Sequence, residues 1–378
     1  MRKRISRVRQ VYTIRSRTGC LRLALSDDIS VGMARPDPDE SFMRAALTEA
    51  RRGLGLTSPN PAVGAVIVNQ GKVMARGHHR RAGLPHAEVE CLRRFGAALP
   101  KSATLYVTLE PCSTTGRTGP CTTAIINAGV RKLVVGSLDP NPKHAGAGIE
   151  ILKKAGIDVR VGVLEAECRE LNESYNKWIE TGLPFVIAKC GMSLDGRLTA
   201  PPSESQWLTS AASRRHANRL RSQVDAVLVG AETIRADDPR LTARGRPNTK
   251  QPWRVTLSRS GELPRRARIF TDHSAARTLV YGEIKLAALL RKLGAKEIVS
   301  VLIEGGGDIL GQALDQRLID KVQVYVAPVF TGGPTISFAA KGAKSTSDSA
   351  RLARVCYDRI KDDVWLTGYP QYDLTTVE

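Results

Sequence analysis

Pro85-His86-Ala87-Glu88 and, further on, Glu110-Pro111-Cys112-Ser113-Thr114-Thr115-Gly116-Arg117-Thr118-Gly119-Pro120-Cys121 decide how this chain is read. One His, two Cys and an acid beside the His are the parts of a catalytic zinc site. Three protein ligands leave the fourth corner of a tetrahedral ion open to water. Zinc brings the pKa of such a water down to about 7, and a carboxylate that is not itself a ligand then moves protons between water and leaving group. His86, Cys112 and Cys121 are the expected ligands of one Zn2+ per chain, and Glu88 the catalytic proton carrier. A purely structural zinc site would bring a fourth Cys or His at useful spacing, and none stands there. Glu88 lies two residues after His86, a spacing that diverges in mid-helix, so the site requires the pair to straddle a helix start.

Outward from this stretch the pattern alternates. Residues 42–54 have helical periodicity, with Met43, Ala46, Leu47 and Ala50 on one face. Strands are expected at 63–68 and 72–76 around an Asn69-Gln70-Gly71 turn, and a helix from Pro85 to about residue 95. Strand 104–109, helix 122–128, strand 132–136, helix 149–155, strand 159–163 and a polar helix over 165–179 follow. Thr181-Gly182-Leu183-Pro184 breaks the chain. Beyond it come strand 185–189, helix 213–223, strand 226–229 and a loop at 233–244 carrying Asp237-Asp238-Pro239. Strand 298–303 then runs into Glu304-Gly305-Gly306-Gly307, followed by helix 309–318 and strand 322–329. The expected fold is α/β, with metal ligands at helix starts near strand ends. Residues 1–37 read as a basic, disordered extension, 38–182 as the zinc domain and 183–378 as a second α/β domain. Strand, glycines and helix turn backbone amides toward an anion, but Gly305–Gly307 is not the dinucleotide fingerprint of a Rossmann fold.

Composition bounds the setting. The 378 residues favour two domains, and 42% apolar content with few aromatics suits a globular protein. No apolar run reaches the roughly 18 residues of a membrane span. Seven scattered Cys fit a reducing cytoplasm better than a disulfide framework, and those outside the zinc set read as ordinary thiols. Of the net charge of +20, residues 1–33 supply +6, with eight Arg/Lys against Asp27 and Asp28. A transit peptide, a nucleic-acid arm or an extension from an upstream start all fit that segment, with Met33 and Met43 as alternative starts. The remaining charge suits anionic small substrates.

Zinc deaminases acting on bases carry His-x-Glu followed by Pro-Cys-x-x-Cys; here eight residues separate the cysteines. This long form resembles the deaminase half of the bifunctional deaminase/reductase family of riboflavin biosynthesis. Pro59-Asn60-Pro61-Ala62-Val63-Gly64, Gly77-His78-His79 and Asp139-Pro140-Asn141-Pro142 resemble other blocks of that half. Lys189–Arg197, Ser203–Trp207, Arg219-Leu220-Arg221, the Thr233 to Arg244 block and Glu304-Gly305-Gly306 resemble the reductase half. The likeness covers about residues 38–375. One departure is Thr114-Thr115, where the family commonly has a His pair.

The resemblance implies a cytidine-deaminase-like α/β/α zinc domain and a dihydrofolate-reductase-like domain using NADPH. It implies a hydrolase and oxidoreductase that deaminates a diaminopyrimidinone ribosylamino phosphate and then reduces the ribosyl group to ribityl. Asn60, His79, Arg117 and Asp139 would hold the first substrate. Cofactor contacts are implied at Gly191, Trp207, Thr233, Asp237, Gly306 and Gly307, and substrate contacts at Ser205, Arg221, Leu241, Arg244 and Glu304. Asp195 and Lys189 would position groups rather than transfer protons. A cytoplasmic homodimer with a small-molecule substrate, and with neither nucleic-acid nor membrane partner, is expected. Two rival readings stay open: a nucleic-acid base deaminase drawn to RNA by charge, and a non-catalytic zinc-binding module.

Overall fold

The computed structural model describes residues 37–114, 119–142, 144–198, 207–245, 249–346 and 348–372, with the backbone of 13–15 and 21–23. Arg117, Thr115, Ser205 and most of the basic extension lie outside the described residues. The extension was expected to lack structure, yet it contributes β1 (Thr13–Arg15) and β2 (Leu21–Leu23), which pair with each other. Leu21 also pairs with Tyr357, on a strand whose edge would otherwise offer unpaired backbone groups.

From there the order is α1 (Pro38–Ala50), β3 (Gly64–Asn69), β4 (Lys72–His78), α2 (Ala87–Phe95), β5 (Thr104–Leu109), α3 (Cys121–Asn127), β6 (Lys132–Ser137), α4 (Ala147–Lys154), β7 (Asp158–Val161), α5 (Glu165–Leu171) and α6 (Glu173–Thr181). The second half gives β8 (Phe185–Met192), α7 (Ala211–Arg221), β9 (Ala226–Gly230), α8 (Ala231–Asp237), β10 (Trp253–Leu257), α9 (Arg268–Thr271), β11 (Thr278–Tyr281), α10 (Leu286–Gly294), β12 (Ser300–Gly305), α11 (Gly307–Asp315), β13 (Lys321–Val326), β14 (Arg351–Ile360) and β15 (Asp363–Gln371). The chain packs as two compact units, one of Arg35–Val186 and Asn218–Leu302, the other of Met1–Ala34, Ile187–Ala217 and Ile303–Glu378.

In the first unit a five-stranded sheet has the order β4-β3-β5-β6-β7, antiparallel on the β4 side and parallel from β5 to β7. Side chains alternate across its faces, as strand geometry requires. Ala65, Ile67, Leu105, Val107, Leu133 and Val135 face Cys91 of α2, Ile125 of α3 and Leu152 of α4. Val66, Val68, Tyr106 and Val134 face Met43, Ala46 and Leu47 of α1 and Cys168 of α5. The result is three layers, α/β/α, and each fully buried Leu or Met contributes about 1.5–3 kcal/mol. A parallel run β9-β10-β11 lies in the same unit. In the other unit β8 pairs parallel with β13, and β13-β15-β14 is antiparallel.

Three expectations change. The polar helix divides at Asn172, whose side chain accepts from the amide of Ala62 (2.8 Å) and donates to its carbonyl (3.0 Å). That bridge holds Asn172 outside helical geometry. The expected loop from Thr233 is helical through Asp237, and Asp238 ends α8 in a left-handed conformation (φ 40°). Cys91, Cys168 and Cys190 are buried free thiols, as expected, whereas Cys356 is disulfide-bonded. Among the described residues no helix is long and apolar enough to cross a membrane.

Candidate active sites

The start of α2 solves the spacing problem of His86 and Glu88. Pro85 lies outside the helix, His86 is its N-cap with extended backbone (φ −71°, ψ 168°), and Glu88 falls in the first turn. The expected helix start at Pro85 therefore moves to Ala87. An extended His86 brings both side chains to one cavity, of about 350 Å3. Cys112 follows β5 and Cys121 is the first residue of α3.

His86 Nδ1 lies 3.2 Å from Cys121 Sγ and 3.5 Å from Cys112 Sγ, and the three ligand atoms all fall within 4.8 Å of one another. Zinc bonds of about 2.0–2.3 Å put tetrahedral edges at roughly 3.5 Å, so this donor set fits zinc. Hydrogen bonding with Cys121, ahead of the His86 ring, brings the Cys112 thiol down to about 4, toward the thiolate a metal needs. The bond to Cys112 in turn raises the pKa of His86. Glu88 is 3% exposed and its Oε2 has no hydrogen-bond partner among the described residues. Burial raises its carboxyl to about 7.

Around this centre the other expected contacts gather. Asn60, His79 and Asp139 line the same cavity. His79 Nδ1 faces the Pro85 carbonyl (3.1 Å) and Nε2 faces Asn60 Nδ2 (3.2 Å), an arrangement satisfied by the neutral ring donating from Nδ1. Burial lowers the pKa of His79 to match. Asp139 accepts from the Asn141 amide (2.9 Å) and the Tyr175 hydroxyl (3.2 Å), and burial raises its pKa. Thr114 lines the cavity; His78 Nδ1 lies 3.4 Å from buried Glu49.

Sequence reasoning missed several residues here. The Glu110 carboxylate accepts from the backbone amides of Asp139 (3.2 Å), Gly146 (3.0 Å) and Gly148 (3.0 Å), tying the Cys112 loop to the Asp139 loop. Its place beside Pro111-Cys112 was the available signal. His144, Tyr175, Trp178 and Glu297 also line the cavity, with no local motif to announce them.

In the second half the expected residues are placed as follows. Gly191 lies on β8, and Glu304 on β12 sits 4.0 Å from Lys189 Nζ. Gly306 caps α11 without a side-chain hydrogen bond, and Gly307 begins it. A Cβ on Gly307 would meet the Ile336 carbonyl at 1.9 Å, so close packing alone demands that glycine. Trp207 is 54% exposed, with Arg214 stacked at 5.1 Å, and is no core residue. Asp195 accepts from Ser193 Oγ (2.6 Å) and the Gly332 amide (2.8 Å). Thr233 and Asp237 lie on α8. Arg221 donates to the Thr242 carbonyl (3.2 Å) and the Arg244 amide to Asn218 Oδ1 (2.7 Å). Leu241 is 2% exposed, with a left-handed backbone at φ +53°.

The three-layer fold and the His/Cys/Cys centre define a zinc-dependent deaminase of the cytidine deaminase class, continued by a second α/β domain. Residues 36–137 match the cytidine and deoxycytidylate deaminase zinc-binding region, and residues 184–365 match the RibD C-terminal domain. The chain is 39% identical over 346 residues to the riboflavin biosynthesis protein RibD of Aquifex aeolicus, covering 86% of this chain and 97% of that one. It is 40% identical over 326 residues to RibD of Escherichia coli, covering 78% and 89%. The solved structure of Acinetobacter baumannii RibD matches with a TM-score of 0.81 at 36% identity, covering 88% of this chain and 99% of that one. A diaminohydroxyphosphoribosylaminopyrimidine deaminase/5-amino-6-(5-phosphoribosylamino)uracil reductase from Thermotoga maritima matches at 0.81 and 34%, with the same coverage. The chain belongs to the RibD family.

Proposed function

We propose that Glu88 carries the proton in a hydrolytic deamination at the His86, Cys112 and Cys121 cluster, and that the second half then reduces the product. The chain is a bifunctional deaminase and reductase acting in two steps of riboflavin biosynthesis. Residues 38–182 would perform the first step and 183–378 the second. The observation that carries this reading is Glu88, a buried carboxylate whose Oε2 has no hydrogen-bond partner among the described residues, beside three metal-ligating side chains in one cavity.

Zinc supplies an acidified water near neutral pH. Glu88, protonatable near neutrality because it is buried, takes up a proton and returns it to the departing amine of a diaminopyrimidinone carrying a ribosylamino phosphate. Asn60, fixed by neutral His79, presents its carbonyl oxygen to donors on the ring. Asp139, held by Tyr175 and by the Glu110-anchored loop, closes the other side. The part expected of Arg117 rests on the family resemblance alone.

In the second step NADPH supplies a hydride. The uncapped amides at the start of α11, Gly306 and Gly307, suit its phosphates, with Gly191, Trp207, Thr233 and Asp237 as further contacts. Arg221 and Arg244 suit the substrate phosphate, and Ser205, Leu241 and Glu304 are further substrate contacts by resemblance. The likeness to RibD proteins over most of the chain disfavours a nucleic-acid base deaminase. A cytoplasmic homodimer is the expected form. The test is a coupled assay with the pyrimidine substrate. A chelator should stop ammonia release while NADPH-dependent reduction of supplied deaminated intermediate continues; chelator-resistant ammonia release would refute the zinc reading.

A further inference from the structure

The deaminase cavity is not lined by the N-terminal half alone. Its wall includes Trp178 and Ile179 of α6 and, from far along the chain, Glu297. Glu297 follows α10, in the segment that shares a compact unit with residues 35–186.

Two hydrogen bonds converge there on one atom. Trp178 Nε1 donates to the Gly294 carbonyl at 3.0 Å, and the Glu297 amide donates to the same oxygen at 3.0 Å. The cavity-lining indole and Glu297 are thus fixed to one another. The seam beneath them is close: a Cβ on Gly294 would lie 2.0 Å from the Gly182 carbonyl. Glu297 also has φ +58°, the left-handed conformation at a helix C-terminus that glycine ordinarily fills. A strained, exposed Glu at that position gains nothing for the fold. Among the described residues its carboxylate has no ion-pair or hydrogen-bond partner.

We infer that Glu297 is a specificity-determining residue of the deaminase site, accepting hydrogen bonds from the ribosyl hydroxyls of the substrate. A carboxylate offers acceptors only, so it selects hydroxyl or amine donors and rejects a bare anion. The metal ligands and Glu88 fix the reacting ring, which leaves the substituent arm for the wall built by α6 and α10. Trp178 beside it gives an apolar face for the sugar. This rests on the deaminase reading above, and it makes the C-terminal half a contributor to the first reaction.

The experiment uses the full-length zinc-loaded protein, with ammonia release measured in the absence of NADPH. Glu297→Gln and Glu297→Gly should each raise the deaminase KM about tenfold, the loss expected for one charged hydrogen bond. The kcat for ammonia release should hold, and so should the rate of NADPH-dependent reduction of supplied intermediate. Glu297→Gly relieves the left-handed strain, so its melting temperature should not fall, which separates loss of binding from loss of fold. A substrate lacking the ribosyl 2′ and 3′ hydroxyls should weaken for the native enzyme and lose little further in either variant. Native KM in both variants, or a lowered KM as a carboxylate facing phosphate would give, overturns the assignment while leaving the deaminase reading intact. No ammonia release by the native enzyme overturns both.

Discussion

Burial explains how Glu88 can hold a proton near neutral pH, and an Oε2 without a hydrogen-bond partner among the described residues explains why that proton is free to move. A structural carboxylate at 3% exposure would be hydrogen-bonded. Glu110 is such a carboxylate, spending both oxygens on backbone amides. The two acids therefore predict different failures. Glu88→Gln should retain zinc and substrate binding and lose about 10²–10⁴-fold in deaminase kcat, read from ammonia release beside metal analysis. Glu110→Gln places an amide group against three donors that need acceptors. It should raise the deaminase KM and lower the melting temperature, with an unsatisfied buried group costing about 1–3 kcal/mol. If Glu88→Gln turned over at the native rate, the proton-carrier role would be refuted; if Glu110→Gln bound substrate normally, the Asp139 loop would not need its tether.

At the scale of elements, the zinc centre depends on where α2 and α3 start. Gly77 on β4 lets α2 approach, since a Cβ there would lie 2.5 Å from the Ala87 carbonyl and from the Cys91 amide. Gly77→Ala should push the N-terminus of α2 outward and carry His86 and Glu88 with it. Weaker zinc retention against a chelator, together with a stability loss of about 1–3 kcal/mol from overpacking, is the expected result; unchanged zinc affinity would show that α2 can shift without the site. Much of this element layer was legible in the sequence. β5 matches its expected bounds, and the apolar run of 63–68 marks the strand that became β3. Local chemistry also carried the ligand set, because Cys and His are favoured zinc ligands and the eight-residue gap is itself a sign. The break between α5 and α6 was not legible, because it depends on Asn172 reaching Ala62, 110 residues away. β14 escaped for another reason: Arg351–Ile360 buries neither face fully, so it has no clean period of two. The α10 stripe of Leu286, Leu289, Leu290 and Leu293, by contrast, is readable by periodicity. What it packs against is not.

At the scale of the whole molecule, sequence punctuation and compactness divide the chain differently. Thr181-Gly182-Leu183-Pro184 reads as a linker, yet Asn218–Leu302 packs in the same unit as Arg35–Val186. Two glycines mark how close that packing is. A Cβ on Gly55 would meet the Ser222 carbonyl at 2.0 Å, and one on Gly294 would meet the Gly182 carbonyl at the same distance. Backbones in such contact have no side chain free to rearrange, so an added methyl must separate them. Gly294→Ala should therefore lower the melting temperature, by about 2–12 °C for the 1–3 kcal/mol of an overpacked contact. It should also raise the deaminase KM, because Trp178 and Glu297 share the Gly294 carbonyl and would move apart with it. Zinc content and the kcat for ammonia release should stay close to native, since no ligand touches that seam. A drop in melting temperature with native KM would mean that the seam serves only the fold. A rise in KM without loss of zinc would mean that the second half shapes the site of the first reaction.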